Sequence, residues 1–144
     1  MNSRQASSKF SVEMILSYVR FHEQPPRQLL PVLERLKSAY ILWYGYYQKL
    51  PRVHRYTLGE RIDMLFVELI EAIACASFSL KNEKVLFLRI AIRKLDALKI
   101  LLLVLWETKS LDTNKYGTVS LPLEEVGKML GGWLRGIETK TPAR

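Results

Sequence analysis

Seven apolar residues, Ile62, Leu65, Phe66, Leu69, Ala72, Ile73 and Ala76, recur at spacings of three and four, which fits one face of an α-helix. Glu60, Arg61, Asp63, Glu68 and Glu71 fall on other sides of the same helix, making it strongly amphipathic. Ahead of it, Thr57-Leu58-Gly59-Glu60 has the form of a capping box that would open the helix. From Val32 to Leu50 the same rhythm runs through Leu36, Ala39, Tyr40, Trp43, Tyr47 and Leu50, and Pro51 is expected to end that helix. A third helix is expected from Glu83 to Leu111. A fourth carries Leu123, Val126, Leu130, Trp133, Leu134 and Ile137; it begins either at a Ser120 cap or near Thr113 with a kink at Pro122. No strand run, repeat period or low-complexity tract interrupts this pattern. The expected architecture is therefore all-α, an antiparallel up-down four-helix bundle over residues 32–138.

With 144 residues there is room for one core. Residues 1–31 read as an N-terminal extension, partly ordered or flexible, interrupted by Pro25, Pro26 and Pro31, with an apolar stretch from Phe10 to Phe21. Residues 139–144 read as a flexible tail. Within the third helix, Ile100 to Trp106 is apolar on every side for two turns, and such a helix must be covered all round. Four short helices rarely cover one of their number completely, so Ile100, Leu103, Val104 and Trp106 are expected at a subunit interface. The Gly127-x-x-x-Gly131 and Gly132-x-x-x-Gly136 spacings cost about 0.5–1 kcal/mol per glycine in a helix interior. They predict a close approach by another backbone, within or between subunits, and place Gly127 and Gly131 with the interface set; a flexible end at Gly131-Gly132 is the other reading.

Several function classes lack their residues. One cysteine, Cys75, makes no internal disulfide and, flanked by Ala74 and Ala76, reads as a small buried hydrophobe in a reducing compartment. With His22 and His54 it leaves a zinc site short of ligands, so neither metal nor other cofactor is expected. The N-terminal residues lead into no secretory signal, and the longest apolar run is about a third of a membrane span. The expected localisation is cytoplasmic, without a membrane partner. Phosphate-binding loops, dinucleotide turns, zinc-protease motifs and nucleophile elbows are missing. Glu124 and Glu125 are adjacent and diverge by roughly 100° on a helix. A catalytic use of Glu68, Glu71 and His54 is the only enzymatic reading, and a non-enzymatic protein is expected.

Charge is the main functional signal. Lys and Arg number 22 against 14 Asp and Glu, a net +8, which suggests a polyanionic partner. Residues 1–56 carry +6, residues 57–80 carry −3, and the remainder is basic. Arg52, His54 and Arg55 cluster between two helices. They either satisfy carbonyls ending the first helix or form a corner that contacts phosphate. Arg89, Arg93, Lys94 and Lys99 form either a solvated stripe or a docking surface for nucleic acid or an acidic protein. Tyr40, Trp43 and Tyr47 share the buried face of the first helix, whereas Tyr44 and Tyr46 fall off it and could stack on bases or fill a partner's groove.

The block Leu50-Pro51-Arg52-Val53-His54-Arg55-Tyr56-Thr57-Leu58-Gly59, with Leu130-Gly131-Gly132-Trp133-Leu134, resembles the accessory variability determinant of diversity-generating retroelements. The likeness spans about residues 33–138 and includes Arg93 to Asp96 and Tyr116; Pro122 departs from the expected pattern. The resemblance implies a homopentamer shaped as a positively charged barrel. It also implies partnership with a reverse transcriptase and template RNA, possibly DNA, in mutagenic cDNA synthesis. Arg52, His54, Arg55, Arg89, Arg93, Lys94 and Lys99 are the candidate contacts. The alternative is a protein-interaction bundle related to ribosomal-RNA-intervening-sequence proteins, without nucleic-acid binding.

Overall fold

The computed structural model describes residues 30–140. The chain divides into Met1–Leu30 and Pro31–Arg144. The expected extension and its Phe10–Phe21 stretch lie outside the described residues, as does the tail beyond Lys140. Among the described residues there are four long helices: α1 (Leu30–Tyr47), α2 (Glu60–Phe78), α3 (Lys81–Glu107) and α4 (Thr113–Thr139). Among the described residues there is no strand.

Each helix touches two neighbours. Between α1 and α2, the Trp43 indole donates to Asp63 at 3.3 Å and its ring stacks on Phe66, centroids 6.2 Å apart. Lys94 on α3 pairs with Glu68 on α2 at 2.9 Å. Lys99 and Arg89 pair with Glu124 and Glu138 on α4, at 3.1 and 2.9 Å. Arg35 on α1 closes the circuit onto Glu125 of α4 at 2.7 Å, and the Tyr46 and Thr118 hydroxyls bond at 2.9 Å. Residue numbers run in opposite directions across each of these last two contacts, so the helices alternate up and down.

The centre is apolar throughout. Leu36, Ala39 and Trp43 of α1 meet Ile62, Leu65, Phe66 and Leu69 of α2 with essentially no exposure. From α3 come Leu88, Ala91, Leu95, Leu98, Leu102 and Leu105; from α4, Val119, Leu123, Val126 and Leu130. Each leucine of this kind contributes about 1.5–3 kcal/mol through burial. The exposed ion pairs, by comparison, are worth about 0–1 kcal/mol each.

Several local expectations need correction. Helix α1 starts at Leu30, with Pro31 inside its first turn, where a missing amide removes no helical bond. It ends at Tyr47, before Pro51. Thr57 does not cap a helix: its hydroxyl donates backwards to the Val53 carbonyl at 3.2 Å. The helical path already begins at Pro51, whose carbonyl accepts from the His54 and Arg55 amides at 3.0 Å each. Tyr40 and Tyr47 are half-buried rather than fully enclosed, and Cys75 is exposed.

Helix α3 stops at Glu107, short of Leu111, because the chain turns through Lys109 at φ 65°. The Ser110 amide donates to Leu105 and the Lys109 amide to Trp106, the paired bonds of a Schellman ending normally built on glycine. Asp112 then caps α4 by accepting from the Lys115 amide at 2.8 Å, which settles its start at Thr113 with Pro122 inside the helix. The helix also continues through Gly131 and Gly132. A lysine in the left-handed region is strained by about 1–2 kcal/mol. Lys109→Gly is therefore expected to raise stability by about 0.5–1 kcal/mol once glycine's greater unfolded freedom is deducted. A thermal melt of the two proteins measures it.

Candidate functional site

The candidate cations occupy two places. Arg52, His54 and Arg55 sit at the end of the bundle where α1 leads to α2. Arg52–His54 form one helical turn, and Arg55–Gly59 continue it as a π-helix that runs into α2. The widened π turn brings this short segment past the end of α1. Gly59 allows the passage: a Cβ there would lie 2.9 Å from Leu50 Cδ1, 3.0 Å from Tyr47 and 3.1 Å from the His54 carbonyl.

Within this corner the three residues differ. Arg55 donates to the Leu50 carbonyl at 2.9 Å, so this guanidinium does satisfy a backbone acceptor beyond α1, as the structural reading of the segment requires. His54 Nδ1 is bonded to the Ser110 hydroxyl in the α3–α4 turn, tying two connections together. Arg52 is exposed and has no partner among the described residues. The same end of the bundle holds Lys115, whose ammonium lies 5.5 Å above the Tyr46 ring. Tyr46, expected to be available for stacking, is thus occupied by Lys115 and Thr118, whereas Tyr44 is exposed.

The remaining four cations lie on α3, away from that end. Arg89, Lys94 and Lys99 are each committed to a carboxylate of a neighbouring helix. Arg93 is exposed and has no ion-pair or hydrogen-bond partner among the described residues. Lys94, Arg93 and Arg61 border a groove of about 450 Å³ between α2 and α3, floored by Leu65, Ile90 and Ala97. Glu68 serves two of these cations, accepting from Arg61 at 3.4 Å as well as pairing with Lys94. The acidic partners were missed from sequence because contacts between helices carry no local spacing signal; only Arg61–Glu68 shares a helix.

Of the expected subunit-interface residues, Ile100 is 59% exposed, and Leu103 and Val104 are half-buried. Trp106 is engaged within the chain: it stacks on Tyr116 at 5.2 Å and donates to Thr113 at 3.1 Å. Gly127 faces the chain's own α3, where a Cβ would meet Leu95 and Lys99 at 3.4 Å. Gly131 has only Arg135 near it, and Gly132 and Gly136 face open space. Within the chain, among these four glycines only Gly127 is closely approached, and by α3 side chains instead of a backbone.

Of the enzymatic trio, Glu68 is tied to Lys94 and Arg61 and His54 to Ser110, while Glu71 is exposed with no ion-pair or hydrogen-bond partner among the described residues. Burial, with Asp63 nearby, pushes the Tyr40 and Tyr47 phenols upward and keeps them protonated. Among the described residues no cluster of His, Cys, Asp and Glu could hold a metal, and no helix is long and apolar enough to cross a membrane.

A protein-family model described as bAvd-like matches residues 30–137, the whole of the four-helix region but the last two residues of α4. No curated protein and no solved structure matched the chain.

Two outcomes test this geometry. Gly59→Ala is expected to destabilise the fold by about 1–3 kcal/mol, because the His54 carbonyl cannot retreat without moving the corner; denaturant titration measures it. The Lys94 ammonium donating to Glu68 holds its carboxyl below the ordinary glutamate range, with partial burial opposing and Arg61 adding to the pull. A lowered folded value means stabilisation is complete above that ordinary range and drains away as pH falls through the lowered one. Glu68→Gln should therefore flatten the acid side of the stability profile and leave the neutral side lower than in the parent.

Proposed function

The chain belongs to the bAvd-like family, and from that membership we propose that it is a non-enzymatic accessory protein of a diversity-generating retroelement. It holds the reverse transcriptase and the template RNA together and so supports mutagenic cDNA synthesis and retrohoming. Its contribution is physical: binding two partners at once raises their effective concentration and fixes their geometry. The family match over residues 30–137 carries this reading. The net charge of +8 supports it, since counterion release makes a basic protein bind RNA without help from any base-specific contact.

The assembly in this reading is a barrel-like homo-oligomer, a pentamer as the family resemblance implies. The partly bare Ile100, Leu103 and Val104 are consistent with a further layer of protein over α3. Phosphate contact is assigned first to the bundle end, to Arg52, which has no side-chain partner among the described residues, with Arg55 and His54 beside it. Arg89, Lys94 and Lys99 contribute chiefly to the field, because each keeps a carboxylate partner. That pairing also favours a second reading, an interaction bundle of the ribosomal-RNA-intervening-sequence type whose charge serves solubility.

Mobility shift and co-purification separate the two. The chain is expected to capture the reverse transcriptase encoded with it and to shift template RNA at physiological salt. Raising salt should weaken the RNA complex steeply. Arg52→Ala should reduce the slope of log affinity against log salt by about one, with little dependence on RNA sequence. Polymerase capture without any RNA shift selects the interaction bundle; failure of both removes the retroelement reading.

A further inference from the structure

Two neighbouring helices carry a second apolar seam on the side turned away from the core. On α3, Leu86, Ile90, Arg93, Ala97, Ile100 and Val104 alternate at four and three residues. All are exposed or half-buried, Leu86 at 57% and Ile100 at 59%. On α2, Glu60, Met64, Val67, Glu71, Ala74 and Phe78 follow the same alternation, with Met64 47% and Phe78 79% exposed. This spacing lets one helix seat its side chains between those of another. Each seam has a charge in mid-run, Arg93 on α3 and Glu71 on α2, and neither has an ion-pair or hydrogen-bond partner among the described residues.

We infer that the outer seam of α3 packs against the outer seam of α2 of a second copy, with Arg93 opposite Glu71, and that this contact builds the assembly. The inference rests on the oligomeric part of the proposed function and names its surfaces.

Charge selects the pairing. Two α3 seams laid together would oppose Arg93 to Arg93, and two α2 seams would crowd carboxylates; only the mixed contact matches cation to anion. It is therefore head-to-tail, each copy offering a different face to each neighbour. The register supports closure. In the antiparallel alignment that sets Arg93 against Glu71, Leu86 meets Phe78 and Ile100 meets Met64. Inside one chain Lys94 is level with Glu68. The alignment between copies departs from that level by two residues, about 3 Å of helical rise. An offset this small lies within the reach of the Arg93 and Glu71 side chains, so copies related by pure rotation about an axis along the bundle can make the contact and close as a ring. Arg93 then belongs to the contact between copies and leaves the set of polyanion contacts, while the Arg52 corner stays open at the bundle end.

Light scattering on the full chain tests this, with far-UV circular dichroism as the check on folding. Arg93→Glu and Glu71→Arg should each weaken self-association at least roughly tenfold, and the double exchange should restore it. Ile100→Asp should disrupt association without any charge swap. An assembly unchanged by all three single variants overturns this interface while leaving the oligomeric reading intact. Single variants that dissociate with no recovery in the double exchange overturn the pairing. Loss of polymerase or RNA binding with self-association intact assigns the seams to that partner and also overturns it. A parent protein that is monomeric throughout removes the oligomeric reading itself.

Discussion

The inner seam of α3 is the contact on which the rest of the molecule depends. Leu88, Ala91, Leu95, Leu98, Leu102 and Leu105 are all sealed from water between α2 and α4. Because helical side chains recur at fixed angles, seating this row also fixes what leaves the helix on either side. Lys94 is brought to Glu68 on one flank, and Arg89 and Lys99 to Glu138 and Glu124 on the other. These pairs are half-exposed and modest in energy. They follow from the apolar register more than they create it. The same geometry leaves Arg93 outward, where no carboxylate among the described residues pairs with it.

The bundle end obeys a different rule. There the positions of Arg52, His54 and Arg55 depend on backbone rather than on a buried row. Pro51 begins the helical path, the π-helix widens it, and Gly59 leaves space beside Leu50 and Tyr47. Arg55 and His54 then bind the corner to Leu50 and to Ser110. One guanidinium and one imidazole thus have structural work. Arg52 beside them is exposed and has no side-chain partner among the described residues.

Periodicity made most of the fold legible. All seven apolar positions of α2 chosen by spacing are buried, as are Leu36, Ala39 and Trp43 of α1. Boundaries were less legible, because they turn on single interactions. Asp112 starts α4, and a lysine in a glycine conformation ends α3. Thr57 and Glu60 have capping-box spacing, yet the helical path beginning at Pro51 makes a cap unnecessary. Cys75 sits among small residues that suggest burial but lies on the outer side of α2. On α3 the polar rhythm of Arg89, Arg93, Asp96 and Lys99 obscures the outer apolar row that shares Arg93. The candidate cations could be named from sequence; which were already paired could not, since their partners lie on other helices.

Pro122 has a consequence for how α4 holds together. Without an amide at that position, the Thr118 carbonyl loses its usual donor one turn later, and the ladder of backbone bonds is broken near the helix's first third. The backbone bonds on either side of that gap remain, and Val119 before it and Leu123 and Val126 after it, all enclosed by the core, hold the helix across it. Fraying that starts at Thr139 can therefore halt at the proline, sparing the turn nearest the cationic corner. On the N-terminal side of the gap the helix is held by Asp112, which caps it, and by Thr118, whose hydroxyl bonds to Tyr46.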